Sequence, residues 1–295
     1  MSVNITVFTP TYNRAYIIRK LYESLQRQTY LNFEWIVVDD GSSDETEELF
    51  NKLVKTEKKF SIRYFKKNNG GKCRAINYAL DYASGKLFFI VDSDDYLTDD
   101  ALEKIVNWEK ELPKNEMFCG VAGNLGTSPS VTPNTIFAGE YYEGSLLDRY
   151  KQVDGERAIV FYTELHKKYR YPEFEGEKFM TEAVVYNRMA HDGYKMRFYN
   201  DIIWIYEYRE DGLTKAGNTL FINNPKGYGL WLKEKIIYSR EPFIKRLKIY
   251  YSFSCELSQK YSKNFIAECI GVPVSIIKML MIFHRIIIVV KRKNR

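Results

Sequence analysis

The sequence is short of the residues from which zinc clusters and histidine-activated nucleophiles are built. Its 295 residues include only four cysteines and three histidines. They are Cys73, Cys119, Cys255, Cys269, His166, His191 and His284. Because no CxxC pair and no clustered histidines occur among them, neither the ligand spacing of a zinc site nor the parts of a nucleophilic triad are evident. We expect free thiols in a reducing cytosol.

Segments of biased composition are also lacking, and we expect no leader. Hydrophobic residues make up 45% of the chain and charged residues 28%, which is ordinary for a globular protein and excludes disordered and collagen-like classes. The opening stretch, MSVNITVFTPTYNR, has neither a basic region nor an apolar core, so we expect no secretory signal. At roughly 150 residues per domain, this length predicts one large or two modest domains.

The excess of basic residues is small and confined to one end of the chain. The formal net charge is +6. Residues 240–295 hold 12 basic and 3 acidic side chains, whereas residues 1–239 hold 32 basic and 35 acidic ones. A protein that coats nucleic acid carries a basic patch on its binding domain. The slightly acidic body therefore leads us to expect no nucleic-acid partner.

Short apolar runs alternate with helical patterns through the first 115 residues. Strands are predicted from the alternation of Val3, Ile5 and Val7 and from the runs EWIVV, SIRYFKK and KLFFIV. Helices are predicted between them, for example over about 44–58 and 99–111. Strands separated by helices imply a parallel sheet with right-handed crossovers and an α/β fold. The later runs MFCGVAGNL, RAIVFYTEL and IIWIYEYRE read as further strands, and the chain after Gly217 as helical.

A polar cluster follows each of the first four predicted strands. The clusters are TPTYNR (9–14), DDGS (39–42), NGGK (69–72) and DSDD (92–95). Ligands of such sheets bind beyond the carboxyl ends of the strands, so these clusters are expected to converge on one edge. Convergence of this kind indicates a binding site rather than a requirement of stability.

The acidic cluster suits a hard divalent cation. Asp92 and Asp94 flank one residue, and an extended chain directs both carboxylates to the same side. One or two carboxylates together with substrate phosphates form the usual Mg²⁺ site, and Mn²⁺ accepts the same ligands. The alternative is a solvated turn in which Asp95 and Asp99 cap the following helix.

The four motifs, in this order and spacing, resemble those of family 2 glycosyltransferases of the GT-A fold. The quoted stretches are TVFTPTYNR, WIVVDDGSSDET, NGGKCRAIN and FIVDSDD, and the resemblance covers about residues 3–215. It implies a GT-A domain over 1–215, with a nucleotide-binding half (1–115) and a mixed acceptor half (116–215). Residues 216–295 would form a basic, amphipathic helical extension.

The resemblance also implies roles for residues at the strand ends. Asp39 would accept a hydrogen bond from the uracil of a UDP-sugar, and Tyr12 would lie flat against the base. Asp94, with Asp92, would bind Mg²⁺ or Mn²⁺ bridging the diphosphate, Asp92 also meeting the ribose or a metal-bound water. The remaining donor-binding residues would be Thr9, Pro10, Arg14, Gly71, Lys72 and Ser93. Many relatives carry a histidine where Cys73 stands here, so a contact from that position is not carried over.

The resemblance places the catalytic base in the second half of the chain. Relatives use an acidic ED or EDE segment that opens a helix, and the matching tetrad Met180-Thr181-Glu182-Ala183 retains one acid. Glu182 is therefore the candidate base, Glu177 is the alternative, and a mere helix-capping role for Glu182 stays open. Arg209 and Thr214 are weaker candidates for contacts near the diphosphate.

The basic end contains an apolar segment, VPVSIIKMLMIFHRIIIVV (272–290). It approaches the roughly 20 residues that cross a bilayer, but Lys278, His284 and Arg285 interrupt it. Every seventh residue from Lys278 to Arg292 is basic, which places these charges on one helix face. The apolar remainder includes Ile277, Leu280, Met281, Ile287 and Ile288. We predict an interfacial helix on an anionic membrane, with FIKRLKIYYSF (243–253) as a second element. Packing on the catalytic domain or on a second copy, and a true span, are the alternatives.

Together these features predict an inverting hexosyl- or N-acetylhexosaminyltransferase that uses a UDP-sugar and a divalent cation. The acceptor would be a glycan or a polyprenyl-diphosphate-linked glycan of a bacterial surface polysaccharide such as capsule or O-antigen. The enzyme would be cytoplasmic, peripheral on the inner face of the cell membrane, with a homo-oligomer left open. Two rivals remain, a sugar-nucleotide nucleotidyltransferase and an inactive, membrane-bound scaffold of the same fold.

Overall fold

The first half of the chain forms the parallel sheet that the sequence predicts. The computed structural model describes residues 3–148, 152–207, 209 and 217–293. Its first strands are β1 (Ile5–Thr11), β2 (Phe33–Asp39), β3 (Ser61–Lys66) and β4 (Leu87–Ile90). They lie in the order β3-β2-β1-β4, and every neighbouring pair is parallel. The predicted α/β class is confirmed.

Helices connect these strands and bury one face each. They are α1 (Arg19–Gln26), α2 (Thr46–Thr56), α3 (Lys72–Tyr82) and α4 (Ala101–Lys110). In α2 the buried positions include Leu49, Phe50 and Leu53, which share one face of a helix. Every residue of β2 is buried, as expected for a central strand covered on both sides.

A buried carboxylate fastens the amino-terminal ends of β1 and β2. Glu34 accepts hydrogen bonds from the hydroxyl of Thr6 at 2.7 Å and from both the amide and the hydroxyl of Ser84 at 2.8 and 2.7 Å. The guanidinium of Arg63 lies 3.2 Å away. Burial alone would raise the pKa of Glu34, but these hydrogen bonds outweigh burial and lower it. The charged form therefore helps to hold this end of the sheet.

The second half of the sheet is mixed, as the resemblance implies. It adds β5 (Tyr96–Leu97), β6 (Phe118–Gly126), β7 (Tyr141–Gly144), β8 (Arg157–Tyr162) and β9 (Lys195–Ile205), with the short helix α5 (Thr163–His166) after β8. Strand β8 runs antiparallel between β4 and β6, and β9 runs parallel to β6. Because β6 thus runs in the direction of β4, their carboxyl ends reach the same edge.

Strand β9 begins and ends earlier than the run IIWIYEYRE predicts. Its first part, from Lys195, contains charged residues and pairs with both β6 and β7. The charge of Arg197 is compensated there, because its guanidinium donates to Glu143 at 2.6 Å and stacks 4.0 Å from the ring centre of Tyr141. A cross-strand ion pair of this kind is not visible in the local sequence.

The remaining elements of the described chain are helices. The helices are α6 (Ala183–His191), α7 (Asn218–Asn223), α8 (Pro225–Tyr238), α9 (Phe243–Leu257), α10 (Lys263–Ile270) and α11 (Val274–Lys293). By packing, Met1–Tyr171 and Arg188–Arg209 form one compact unit. Pro172–Asn187 and Glu210–Arg295 form a second, which we call the helical unit. The predicted domain bounds, 1–215 and 216–295, remain a prediction.

The last helix does not expose the side that the sequence predicts. Ile277, Leu280 and Met281 are buried, and Ile277 and Met281 belong to a core that also contains Phe253 and Leu257 of α9. The apolar face that was assigned to lipid is therefore, at these positions, the packing face of the helix. The exposed apolar side is instead formed by Met279, Ile282, Phe283 and Ile286.

No single helix among the described residues is long and apolar enough to cross a membrane. Lys263–Ile270 and Val274–His284 satisfy the length and composition criteria only when taken together, and they are bent by 119° relative to each other. Much of both segments is buried in the core of the helical unit, including Ile266, Ile270 and Ile277. All four cysteines are free thiols, as the sequence predicts.

Candidate active site

The predicted polar clusters meet at the carboxyl edge of the sheet. Thr11, the last residue of β1, is in register with Asp39, the last residue of β2. Beyond them, the amide of Asp40 donates to the carbonyl of Thr11 at 2.8 Å, and Lys72 forms a 2.7 Å ion pair with Asp92. These contacts join the first cluster to the second and the third to the fourth.

A left-handed residue shapes the turn after β1. Asn13 has φ 53°, a conformation in which asparagine is among the few tolerated residues. Its amide donates to the Ser42 hydroxyl at 2.8 Å, and its side-chain oxygen accepts from the Ser43 amide at 2.8 Å. The turn is thereby tied to the end of β2, with Tyr12 half exposed and Arg14 half buried on either side of Asn13.

The carboxylate of Asp39 is fully buried and fixed from two directions. One oxygen accepts from the Ser42 amide at 2.7 Å, and the other accepts from the Tyr64 hydroxyl at 2.6 Å. Burial, followed by the hydrogen bond to Asp39, raises the pKa of Tyr64 well above its ordinary value, so the phenol stays protonated. Each carboxylate oxygen has a second lone pair, so each can accept one more hydrogen bond. Thr9 is also fully buried and accepts from the indole of Trp35 at 3.0 Å.

Asp40, to which the sequence assigns no role, organises the glycine turn. Its carboxylate accepts the amides of Gly70 at 2.9 Å and Gly71 at 2.7 Å, and the ammonium of Lys67 lies 2.6 Å away. Gly71 has φ 92°, a region that a side chain would strain, and it immediately precedes α3. This arrangement places Lys72 at the first turn of α3, beside Asp92.

The acidic cluster is electrostatically unbalanced. Burial, followed by the charge of Asp92, raises the pKa of Asp94, whereas the charges of Arg14 and Arg209 lower it. Burial and Asp92 also raise the pKa of Asp95 to about 8. A bound cation would relieve the repulsion between these neighbouring carboxylates.

The alternative of a solvated helix-capping turn is wrong for both residues it named. Asp95 is buried and accepts the indole N–H of Trp204 on β9 at 2.8 Å. Asp99 forms a 3.0 Å ion pair with Arg27, and α4 has no side-chain cap. Asp95 therefore links β4 to the second half of the sheet, a contact that the sequence does not reveal.

The residues at this edge fit a metal that arrives with a diphosphate. In the described part of the chain, no group of three or more His, Cys, Asp or Glu side chains could hold an ion alone. Mg²⁺ commonly takes one or two carboxylates and obtains its other ligands from phosphates and water. Asp92 and Asp94 supply that number, and burial followed by the charge of Asp92 raises the pKa of Asp94. Ser93 between them is buried.

The two candidate bases have different surroundings within the helical unit. Glu177 is buried, and its two carboxylate oxygens accept the amides of Lys226 and Gly227 at 2.7 and 2.9 Å. These amides belong to the first turn of α8, where an anion stabilises a helix. Glu182 is half buried directly before α6 and accepts the hydroxyl of Tyr186 at 3.0 Å. Glu177 thus has a structural task that Glu182 does not share.

Two minor expectations concern flanking positions. Cys73 is buried in the first turn of α3, 7% exposed, which agrees with leaving out a donor contact there. Thr214 lies outside the described residues.

The contacts that the sequence missed, from Asp40, Tyr64 and Trp204, all join segments far apart in the chain. An Asp-Asp pair after β2 was the only local signal for Asp40.

Comparisons with known proteins agree with the geometry. Residues 6–155 match the family model Glycosyl transferase family 2. Glycosyltransferase GlyA of Streptococcus pneumoniae is 26% identical over 231 residues, covering 72% of this chain and 32% of that protein. An uncharacterised glycosyltransferase of Haemophilus influenzae is 30% identical over 148 residues, covering 47% of this chain and 59% of that one. Chondroitin synthase of Pasteurella multocida is 30% identical over 183 residues, covering 62% of this chain.

The chain spans only 32%, 59% and 15% of the lengths of these three relatives, respectively. Among solved structures, S. aureus TarS in complex with UDP-GlcNAc superposes with a TM-score of 0.63 at 19% identity, covering 86% of this chain and 71% of TarS. The mannosyltransferase PcManGT from Pyrobaculum calidifontis, in complex with GDP-Man and Mn2+, gives a TM-score of 0.56 at 20% identity, covering 88% and 73%. At these identities the structures show the fold alone. With the matched family model and the strand-edge motifs, they establish that the chain belongs to glycosyltransferase family 2 and has the GT-A fold.

Proposed function

We propose that this glycosyltransferase moves a sugar from a UDP-sugar to a hydroxyl of a glycan or lipid-linked glycan, with inversion and with Mg²⁺ or Mn²⁺. The observation that carries the proposal is the juxtaposition of Asp92 and Asp94 with cationic side chains at the sheet edge. Lys72 is paired with Asp92, and Arg14 and Arg209 act on Asp94. Anionic and cationic groups side by side suit a cation and a diphosphate bound together.

The nucleoside would lie against the turn after β1. Tyr12 is 51% exposed and can stack on a base, while Pro10 and the main chain around Thr9 form the adjoining wall. Asp39, held rigid by Ser42 and Tyr64, would accept the N3–H of uracil. A carboxylate that is fixed before binding loses no conformational entropy when the ligand arrives.

The diphosphate would lie between Asp92 and Asp94 on one side and Lys72 and Gly71 on the other, with Ser93 supporting the acidic turn. A divalent cation there would supply Lewis-acid neutralisation of the departing nucleoside diphosphate. Lys72, fixed at the first turn of α3, would donate to phosphate oxygens as their charge grows. Groups oriented before the reaction stabilise developing charge most strongly.

Glu182 would act as the base that removes the proton from the acceptor hydroxyl. Inversion in a single displacement needs one carboxylate opposite the leaving group, and general-base assistance contributes roughly 10²–10⁴ in rate. The hydrogen bond from Tyr186 orients one of its oxygens. Glu177 remains the alternative, although both its oxygens bind the start of α8. The anomeric configuration of the product, measured by NMR, tests inversion.

Two relatives support a polysaccharide product. They are named chondroitin synthase and hyaluronan synthase, each 30% identical over 183 residues. A cell-surface polysaccharide such as capsule or O-antigen, built on a polyprenyl-diphosphate carrier, would explain why a basic helical end accompanies the catalytic body. The enzyme would then work in the cytoplasm at the inner face of the membrane.

Attachment to that face would use the exposed side of α11. Met279, Ile282, Phe283 and Ile286 recur at helical spacing and are 54–59% exposed. Lys278 on the same helix is exposed, as are Phe243 and Ile244 at the start of α9, next to Lys245 and Arg246. Exposed apolar residues flanked by basic ones suit an anionic lipid surface. A second copy of the chain is the other occupant that an experiment has to distinguish.

Ligand-dependent stability tests the donor assignment. The melting temperature would be measured with a panel of UDP- and GDP-sugars, each with Mn²⁺ or with EDTA. A ligand that binds only the native state raises stability by mass action. A UDP-sugar is therefore expected to raise the melting temperature in Mn²⁺ but not in EDTA. Stabilisation by GDP-sugars instead of UDP-sugars would contradict the assignment of uracil as the nucleobase of the donor. No stabilisation by any nucleotide would favour the inactive scaffold, whereas membership of family 2 excludes the nucleotidyltransferase.

A further inference from the structure

Tyr16 holds two arginines that come from distant parts of the chain. It lies in the turn before α1 and is 58% exposed. The guanidinium carbon of Arg14 is 6.0 Å from its ring centre, and that of Arg209 is 5.4 Å away. Its hydroxyl oxygen accepts from Arg14 at 2.8 Å and from Arg209 at 3.4 Å. One exposed ring thus gathers two positive charges that are separated by almost 200 residues of sequence.

Two guanidinium groups on one ring repel each other unless negative charge lies nearby. Arg14 follows Thr11, the last residue of β1, and β1 is paired in parallel with β4, which leads into Asp92 and Asp94. The charges of both Arg14 and Arg209 also lower the pKa of Asp94. Burial and Asp92 act in the opposite direction. The arginine pair therefore borders the same edge of the sheet as Asp92 and Asp94, within the same compact unit.

We propose that Tyr16 is a positioning residue that orients Arg14 and Arg209 toward the diphosphate of the donor. A guanidinium has five N–H donors in a planar fork whose geometry suits phosphate oxygens. Tyr16 touches no reacting atom in this arrangement and acts through the arginines. The inference rests on the proposed nucleoside-diphosphate donor and adds a determinant of phosphate, rather than base, recognition.

Ligands that differ only in phosphate content distinguish a role of Tyr16 in binding the diphosphate from a role in supporting the whole binding site. Uridine, UMP and UDP would be titrated in Mn²⁺ against the wild type, Tyr16→Phe and Tyr16→Ala. Loss of charge-assisted contacts is expected to weaken UDP binding about tenfold or more in Tyr16→Ala, with uridine binding changed by less than about twofold. Tyr16→Phe keeps the ring but loses the hydroxyl, so its UDP affinity is expected to fall between those of the wild type and Tyr16→Ala.

A double-mutant cycle asks whether Tyr16 acts through the arginines. In an Arg14→Gln, Arg209→Gln background, Tyr16→Ala is expected to have little further effect on UDP binding. Tyr82→Ala is the matched control, since Tyr82 is 39% exposed and has Arg63 at 5.7 Å from its ring centre, in the same compact unit. Its UDP affinity should equal that of the wild type. Circular dichroism and melting temperature would verify that each variant is folded.

Each outcome decides the inference. Equal losses for uridine and UDP, unchanged UDP affinity in Tyr16→Ala, or an undiminished effect of Tyr16→Ala without the arginines would overturn it. If the wild type binds GDP rather than UDP, the uracil assignment fails. The inference about Tyr16 is then tested by the same comparison with guanosine and GDP. If the wild type binds no nucleoside diphosphate, the proposed function and the inference fail together. If Tyr16→Ala does not fold, Tyr16→Phe and the arginine background carry the test.

Discussion

The ammonium of Lys72 lies 2.7 Å from a carboxylate oxygen of Asp92. This pair joins the first turn of α3 to the residues just beyond β4 and offsets part of the charge of the acidic cluster. Both side chains are partly exposed, 28% and 39%, so either can change partners when a ligand arrives. We expect donor binding to transfer Lys72 from Asp92 to the diphosphate and to leave Asp92 to the cation.

The exchange predicts opposite effects of one substitution on two ligands. Lys72→Met removes a donor to the diphosphate, and a hydrogen bond to a charged group is worth about 1.5–3 kcal/mol, so UDP affinity should fall roughly tenfold or more. The same change leaves Asp92 and Asp94 less neutralised, so Mn²⁺ alone should bind more tightly. Isothermal titration measures both affinities. Lys66→Met, which breaks an exposed 2.6 Å pair with Glu47, is the control and should change neither. Parallel weakening of Mn²⁺ and UDP would contradict the exchange.

The two candidate bases should separate by what each substitution impairs. Glu182→Gln is expected to retain UDP affinity and the melting temperature while lowering transfer by about 10²–10⁴, since a general base is lost. Glu177→Gln removes the anion at the start of α8 and should cost about 0.5–2 kcal/mol of stability while the folded enzyme still transfers sugar. Urea unfolding and initial rates measure the two effects. Near wild-type transfer by Glu182→Gln would reject it as the base.

The network around Glu34 predicts a pH dependence of stability. Its pKa is lowered in the folded state, so its contribution to the free energy of unfolding is present above its unfolded pKa of about 4.5 and is lost as the pH falls through the lower folded value. Glu34→Gln should lower stability at pH 7 by about 1–3 kcal/mol and flatten the acid limb of the stability curve. Urea unfolding between pH 3 and 7 measures this. Glu48→Gln, at an exposed position of α2, should keep the wild-type curve; an identical curve for Glu34→Gln would refute the role.

Membrane attachment can be tested without disturbing the core of the helical unit. Because Ile277 and Met281 are packed, deleting the last helix would remove core residues together with any lipid contact. Ile282→Ser with Phe283→Ser alters only the exposed side, and each side chain of this size contributes about 1.5–3 kcal/mol on burial. Sedimentation with anionic vesicles should therefore fall at least tenfold.

The control and the competing occupant complete that experiment. Val131→Ser with Ile136→Ser changes equally exposed apolar residues of the other compact unit and should leave vesicle binding intact. Neutral vesicles should bind the wild type weakly, since the basic residues contribute only against anionic lipid. If the α11 variant converts a dimer to a monomer without changing vesicle binding, the exposed face is occupied by a second copy instead.

Local sequence sufficed to predict the first four strands and the edge of the sheet at which the polar clusters meet. The alternating strands and the clusters from Thr9 to Asp94 carry periodicity and spacing that are visible within a few residues. The contacts that fix those clusters are not local: Asp40 binds the turn of Gly71, Tyr64 binds Asp39, and Trp204 binds Asp95. Such pairings depend on the order of strands in the sheet, which the sequence pattern does not encode residue by residue.

The last helix shows the same limit in another form. Its pattern indicated one basic face with apolar residues over much of the rest of the helix, but periodicity cannot tell which apolar residues contact protein. The core with Phe253 and Leu257 selects Ile277 and Met281 and leaves Ile282 and Phe283 outside. Packing against neighbouring helices, rather than the amphipathicity of one helix, decides the exposed face.

The most direct test of the account is the release of UDP from UDP-sugars in the presence of an acceptor glycan. Asp94→Asn removes the charge that would bind the cation, and Asp99→Asn, which breaks the exposed pair with Arg27, is the matched control. We predict release by the wild type and by Asp99→Asn in Mn²⁺, none above background in EDTA, and a loss of about 10²-fold or more in Asp94→Asn. Release at the wild-type rate by Asp94→Asn or in EDTA, or no release from any UDP-sugar, would contradict a metal-dependent UDP-sugar transferase.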